Sequence, residues 1–114
     1  MDTKKYLDYE VALKRLGGKA PLYIRLLQQF FASDYCNKLE ELLLAGDFHN
    51  FGILAHSVKG ASSNLSLLEI FSYCVKFESN IKNGIDCTED MKEFKRVYEK
   101  TENIVTEFIA ERNG

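Results

Sequence analysis

The segment Asp47-Phe48-His49-Asn50-Phe51-Gly52-Ile53-Leu54-Ala55-His56-Ser57-Val58-Lys59-Gly60-Ala61-Ser62-Ser63-Asn64 decides how the chain is read. Turned at about 100° per residue, it gathers Phe51, Leu54, Val58, Ala61 and Leu65 within about 40° of one direction. That spacing predicts an amphipathic helix over 48–64 with an apolar stripe for a core. On the other side of the wheel, within about 40–60° of His56, lie His49, Gly52, Lys59, Gly60 and Ser63.

Outward from this helix the punctuation is sparse. Gly46-Asp47 precedes it, with Asp47 as the candidate N-cap, and Asn64-Leu65-Ser66 follows it. Ser66-Leu67-Leu68-Glu69 has the spacing of a capping box, which predicts that Ser66 caps the next helix and Glu69 bonds back. Gly17-Gly18 and Asn83-Gly84 make further breaks, Pro21 suits a first helical turn, and Thr88-Glu89-Asp90 suits a helix start. Helical segments are therefore expected at 6–16, 21–45, 48–64, 67–83 and 89–112. In the last, Met91, Phe94, Tyr98, Thr101, Val105 and Phe108 recur in steps of three and four, broken in polarity only by Thr101. No segment alternates with period two. The expectation is an all-α fold, an antiparallel up-and-down four-helix bundle with a short additional N-terminal helix, as one domain over 1–114. The charges of 89–112 are read as a solvated helix face.

The 114 residues suit a single core. Lys and Arg number 15 against 17 Asp and Glu, a net charge of −2 that argues against a nucleic-acid surface. Cys36, Cys74 and Cys87 are odd in number and lack metal-ribbon spacing, so reduced thiols are expected, and with two His the chain has no multi-histidine metal site. No signal peptide and no apolar run of membrane-spanning length is read, so a soluble cytoplasmic setting without membrane insertion is expected. Neither a P-loop nor a kinase-type glycine loop is present, and no Ser-His-acid relay falls on one face, so ATP binding and hydrolase chemistry are not expected.

The face around His56 is unusual for a helix. Each interior glycine costs about 1 kcal/mol relative to alanine, and Gly52 and Gly60 flank His56 by one turn on either side. The physical reading is access: a partner backbone or a bulky group can approach the imidazole. Lys59 can place a cation beside whatever binds. A neutral imidazole is a nucleophile near physiological pH, and a nearby ammonium suits phosphoryl oxygens. His49 lies two turns away, about 10 Å by the helical rise, too far to share a metal ion with His56. His49 and Ile53 are candidate partner contacts, and Ser63 joins the glycines as a small residue leaving access.

His56-Ser57-Val58-Lys59-Gly60 resembles the His-x-x-Lys-Gly motif of histidine-containing phosphotransfer domains. Ala12-Leu13-Lys14-Arg15-Leu16-Gly17-Gly18 with Leu22-Tyr23, Leu43-Leu44-Ala45-Gly46-Asp47, the small residues Ala55, Ala61, Ser62 and Ser63, and Phe77-Glu78 with Asn83-Gly84 are similar to that family's flanks, so the likeness spans residues 8–85. One departure is Ser66, where the family often has glycine. The resemblance implies a four-helix phosphorelay carrier, not an enzyme, that takes a phosphoryl group on His56 from one receiver-domain aspartate and passes it to another. Lys59 would stabilise the phosphoryl oxygens and Gly60 would leave room. It implies no cofactor of its own, with magnesium on the receiver. The partners would be response-regulator receivers and a hybrid sensor kinase, and the carrier would be monomeric. The competing reading is a helical adaptor that binds a receiver or another signalling protein without phosphotransfer.

Overall fold

The computed structural model describes residues 3–113. Among them the regular structure is entirely helical: α1 (Tyr9–Arg15), α2 (Ala20–Ala32), α3 (Tyr35–Leu44), α4 (Phe48–Asn64), α5 (Leu68–Lys82) and α6 (Thr88–Asn113). The stretch expected as one helix over 21–45 is two. It breaks at Ser33-Asp34, where Asp34 adopts a left-handed conformation (φ 56°) and accepts a hydrogen bond from the Asn37 side-chain amide. Aspartate tolerates this conformation better than most side chains. The break lets Phe30, Phe31 and Tyr35 converge around one another and on Tyr98 of α6, with Phe30 to Tyr35 at 5.1 Å and Phe31 to Tyr98 at 5.2 Å between ring centroids.

Helix α4 packs on α3 and α5, α5 on α6, and α3 on α6, while α2 lies against α1 and α6. A run of aromatic rings crosses the core between these helices. Phe51 of α4 meets Phe77 of α5 at 5.2 Å, and Phe77 meets Phe94 of α6 at the same distance. All six stripe positions of α6 are buried, Thr101 included. Its hydroxyl donates to the Val97 carbonyl at 2.7 Å, which makes a threonine acceptable there. In α4 the buried arc differs from the expected stripe. Phe51, Val58 and Leu65 are buried, but Leu54 and Ala61 are only partly so, and Ala55 and Ser62 take core positions. Two neighbouring helices flank α4, so small side chains face the closest packing. Ser62 is satisfied by donating to the Val58 carbonyl. The three cysteines are free thiols, Cys74 and Cys87 buried and Cys36 half-buried. Burial, with the nearby Glu78 charge, pushes the Cys74 thiol up to about 12.

Four helix ends share one device. After α1, α3, α4 and α5 the chain turns through a left-handed residue, and two amides fold back onto carbonyls of the final turn, as in a Schellman motif. Gly17, Gly46 and Gly84 occupy that left-handed position in three cases, and Ser66 (φ 56°) in the fourth. This overturns the capping-box reading. Ser66 closes α4 rather than opening α5, whose N-cap is Leu67 without a side-chain bond, and the buried Ser66 hydroxyl has no partner among the described residues. Left-handed geometry costs a non-glycine residue about 1–2 kcal/mol, and an unpaired buried hydroxyl adds to that. Against this stands glycine's greater unfolded-state entropy, about 0.5–1 kcal/mol. Ser66→Gly is therefore expected to stabilise the protein by about 1 kcal/mol, seen as a rise in the thermal midpoint of roughly 4 °C or more. A lowered midpoint would contradict the assignment of strain to this residue.

The N-terminal region secures the same helix end. The Asp8 amide donates to the Ser66 carbonyl at 3.0 Å, Arg15 to the Ser63 carbonyl at 2.7 Å, and the buried Tyr23 hydroxyl to the Leu65 carbonyl at 2.7 Å. Carbonyls at a helix C-terminus need such partners. Residues 8–23 thus close the C-terminal end of α4 and leave its middle and N-terminal part uncovered.

Candidate functional site

Helix α4 begins as its sequence suggests. The Asp47 carboxylate accepts from the Asn50 amide at 3.3 Å and from its side chain at 2.8 Å, bonds that hold this carboxyl below its ordinary value. Two turns further on, His56 projects from the middle of the helix with its side chain 70% exposed. One nitrogen of its ring has a partner. Nδ1 lies 3.1 Å from Oε2 of Glu78 on α5, and the other oxygen, Oε1, lies 2.7 Å from the Lys59 ammonium. One carboxylate thus ties together two residues of α4 that are one turn apart.

This arrangement has chemical consequences. A carboxylate facing Nδ1 selects the tautomer with the proton on that nitrogen, so the Nε2 lone pair is left on the exposed edge. Any positive charge that develops on the ring has its counter-charge in place. Desolvation pushes the Glu78 carboxyl up, but the hydrogen bonds from Lys59 and His56, with their charges, outweigh it and hold the group below its ordinary value. The lowered carboxyl contributes stability that is present above the unfolded-state glutamate pKa, about 4.3. That stability is lost as pH falls through the lower folded value. The difference in thermal midpoint between the wild type and Glu78→Gln is therefore expected to favour the wild type at pH 7 and to shrink as the pH falls below the unfolded-state glutamate value and on through the lower folded one. A difference constant across that range would mean that the carboxylate's charge does not contribute.

The positions singled out in the sequence separate into groups. His49, Gly52, Ile53 and His56 line one open groove with Ser57, and α5 supplies its other wall through Glu78, Ile81 and Lys82. Lys59 is half-buried and paired with Glu78, so it is not the free cation that its helical spacing suggested. Gly60 is open as expected, since a Cβ built there meets nothing within 4 Å. Gly52 is different: a Cβ there would lie 3.4 Å from Cγ2 of Ile81. Gly52 therefore sits where α4 meets α5, while Gly60 faces open space. Ser63 does not line the groove; it is half-buried, with its carbonyl held by Arg15.

Glu78 and Lys82 were not selected as site residues from the sequence, although Glu78 formed part of the likeness above. The available signal was a single carboxylate at the border of the buried Cys74-Phe77 stripe of α5. Nothing local says which α4 residues it meets. Among the described residues no cluster of three or more His, Cys, Asp or Glu could hold a metal ion, and no helix is long and apolar enough to cross a membrane. Comparisons of the chain with protein-family models, with curated proteins and with solved structures returned no match.

Proposed function

We propose that the protein is a histidine phosphocarrier of a two-component phosphorelay, with His56 as the phosphoryl acceptor. The observation that supports this most is the exposed imidazole held through Nδ1 by Glu78, with Lys59 on the same carboxylate and open space at Gly60. The donor would be an aspartyl phosphate on a receiver domain. Nε2 attacks phosphorus, the P–O bond to the aspartate breaks as the P–Nε2 bond forms, and the aspartate leaves as a carboxylate. The Nδ1 proton stays in place, and Glu78 balances the ring's new positive charge. Lys59 then answers two anionic groups, Glu78 and the phosphoryl oxygens, and supplies the cation beside the transferring group. Transfer to a second receiver reverses the same bond changes. Magnesium would be held by the receiver's own carboxylates.

On this reading α3, α4, α5 and α6 form an antiparallel up-and-down four-helix bundle, a form supported by their closed ring of packing contacts. The chain is a cytoplasmic, monomeric carrier without kinase or ATPase activity, served by response-regulator receivers and a hybrid sensor kinase. The direct test is incubation with phosphorylated receiver domains. Phosphate that is acid-labile and base-stable is expected on the chain, and its absence with every receiver of the same genome would overturn the proposal.

Gly60 gives a separate check. With open space at that position, Gly60→Ala is expected to stabilise α4 by up to about 1 kcal/mol. Gly60→Glu is expected to keep the helicity and to slow transfer at least tenfold, because bulk and negative charge stand where the donor must approach. Transfer at the normal rate in Gly60→Glu, with circular dichroism unchanged, would remove the access argument.

A further inference from the structure

Asn83-Gly84, one of the sequence breaks, forms the corner between α5 and α6. Residues on either side of the corner are anchored. Asn80 is buried and donates to the Asp90 carboxylate, and Cys87 is buried as well. Between them Lys82, Asn83, Gly84, Ile85 and Asp86 form an unbroken exposed run. The turn is closed by the Gly84 amide on the Ile81 carbonyl at 3.3 Å and the Ile85 amide on the Asn80 carbonyl at 2.8 Å. Opening these bonds hands two amides to water and takes no fully buried side chain out of the core, so it belongs to the low-cost local fluctuations of a helix end. Ile85 shares a depression with Phe48 and Ile81, and Ile81 also lines the His56 groove. The corner therefore stands on the rim of that groove.

An asparagine followed by glycine can react with its own backbone. The Gly84 nitrogen attacks Cγ of Asn83. The N–Cγ bond forms as the Cγ–Nδ2 bond breaks, and the Gly84 amide proton leaves with Nδ2 as ammonia. Water then opens the five-membered imide at either of its two carbonyls. The product is aspartate or, with the main chain running through Cβ, isoaspartate. A bulky side chain on the following residue hinders the attack, and of the seven asparagines only Asn83 and Asn113 precede glycine. The closed turn restrains both reactants at Asn83. Its side-chain amide donates to the Ser79 carbonyl at 2.9 Å, and a ψ of 6° turns the Gly84 nitrogen toward Asn83's own amide nitrogen instead of its side chain. Once the turn opens, nothing keeps them apart. A Cβ built on Gly84 meets nothing within 4 Å, and glycine permits the rotation.

We infer that Asn83 is a self-modification site, at which the chain cyclises on Gly84 and converts Asn83 to aspartate and isoaspartate through local opening of the α5–α6 corner. Neither product rebuilds the corner. A carboxylate at position 83 has no proton for the Ser79 carbonyl and adds negative charge at the negative end of the α5 dipole. Isoaspartate lengthens the main chain by one atom just before Gly84, so the Gly84 and Ile85 amides no longer reach both of their carbonyls. Ile81 and Lys82, which line the groove, lie directly before the altered residue. The modification thus acts on the groove's rim without touching His56, and it does not depend on what His56 does.

The test follows the full chain at mildly alkaline pH, folded and in guanidinium chloride. Trypsin, cutting after Lys82 and Lys92, separates residues 83–92 from Asn113-Gly114. The probe is protein-isoaspartate methyltransferase with a radiolabelled methyl donor, and a zero-time sample corrects for conversion during digestion. In the folded protein this peptide is expected to become methylatable within about a hundredfold of its rate in guanidinium chloride, because local opening costs far less than global unfolding. A greater retardation would mean that Asn83 reacts only through global unfolding, and it overturns the inference. Asn83→Gln, which would have to close a six-membered ring, is expected to lose the label. Undiminished label in that variant traces it to Asp86 or Asp90 and also overturns the inference. Asn83→Asp, one of the two products, is expected to lower the thermal midpoint by at least about 2 °C. An unchanged midpoint overturns the damage assigned to the corner.

Discussion

His56→Gln is expected to abolish phosphate incorporation altogether, whereas Glu78→Gln should leave a slowed but measurable reaction. Glutamine at 56 keeps a polar side chain on the same exposed face but offers no nucleophilic ring nitrogen, so the P–N bond has nothing to form on. The fold should be untouched, because the His56 side chain is 70% exposed and contributes nothing to the core. Glu78→Gln removes a charge while its amide oxygen can still accept from Nδ1. The tautomer is then retained, and the loss is confined to the stabilisation of the ring's developing positive charge. A charge-assisted hydrogen bond is about twice as strong as a neutral one, which places the expected loss of rate at about tenfold, or about 1.4 kcal/mol. Both variants can be compared with radiolabelled receiver phosphate or with phosphoramidate. Undiminished labelling of His56→Gln would dismiss His56 as the acceptor. Equal rates for wild type and Glu78→Gln would show that the carboxylate's charge contributes nothing to transfer.

The second large effect is on stability. Phe77→Ala is expected to cost about 3–5 kcal/mol, the usual range for deleting a fully buried aromatic ring. Phe77 is 0% exposed and joins Phe51 of α4 to Phe94 of α6, each at 5.2 Å. Its removal opens the centre of the core, and no helix can close the gap without abandoning its other contacts. Against a total stability that is typically about 5–15 kcal/mol, a loss of this size takes a large share. It should also blur the site, because Glu78 is the next residue and its position depends on how α5 is seated. Chemical denaturation of Phe77→Ala beside Phe77→Leu provides the measurement. The leucine variant should recover most of the loss, and an alanine variant within about 1 kcal/mol of wild type would contradict the central place given to this ring.

What could be read in the chain without its structure was local. The helix starting after Asp47, the six-residue stripe of α6 and the breaks at Gly17-Gly18, Gly46-Asp47 and Asn83-Gly84 depend on neighbours within a turn or two, and these features stand in the structure. The break at Ser33-Asp34 was not legible. No glycine or proline marks it, and it is stabilised by Phe30, Phe31 and Tyr35 gathering on Tyr98, a residue far along the chain. Ser66 was misread for a related reason. Its spacing to Glu69 satisfies a capping pattern, but the amides of Ser66 and Leu67 bond back to carbonyls of α4, and the Asp8 amide takes the Ser66 carbonyl.

By itself, then, the sequence determined that the chain is helical, where most of its helices begin and end, and that an exposed histidine stands on α4 between two glycines with a lysine one turn on. These follow from the 3.6-residue period and from backbone preferences, which act over a few residues. Only the tertiary structure decided that Glu78 bridges His56 and Lys59, that Gly52 packs toward Ile81, and that Phe48 and Ile85 share a surface with the His56 groove. Those facts depend on the register of α5 against α4, a relation between residues 19 or more positions apart. That register is set by how Phe51, Phe77 and Phe94 fill one core rather than by any local preference.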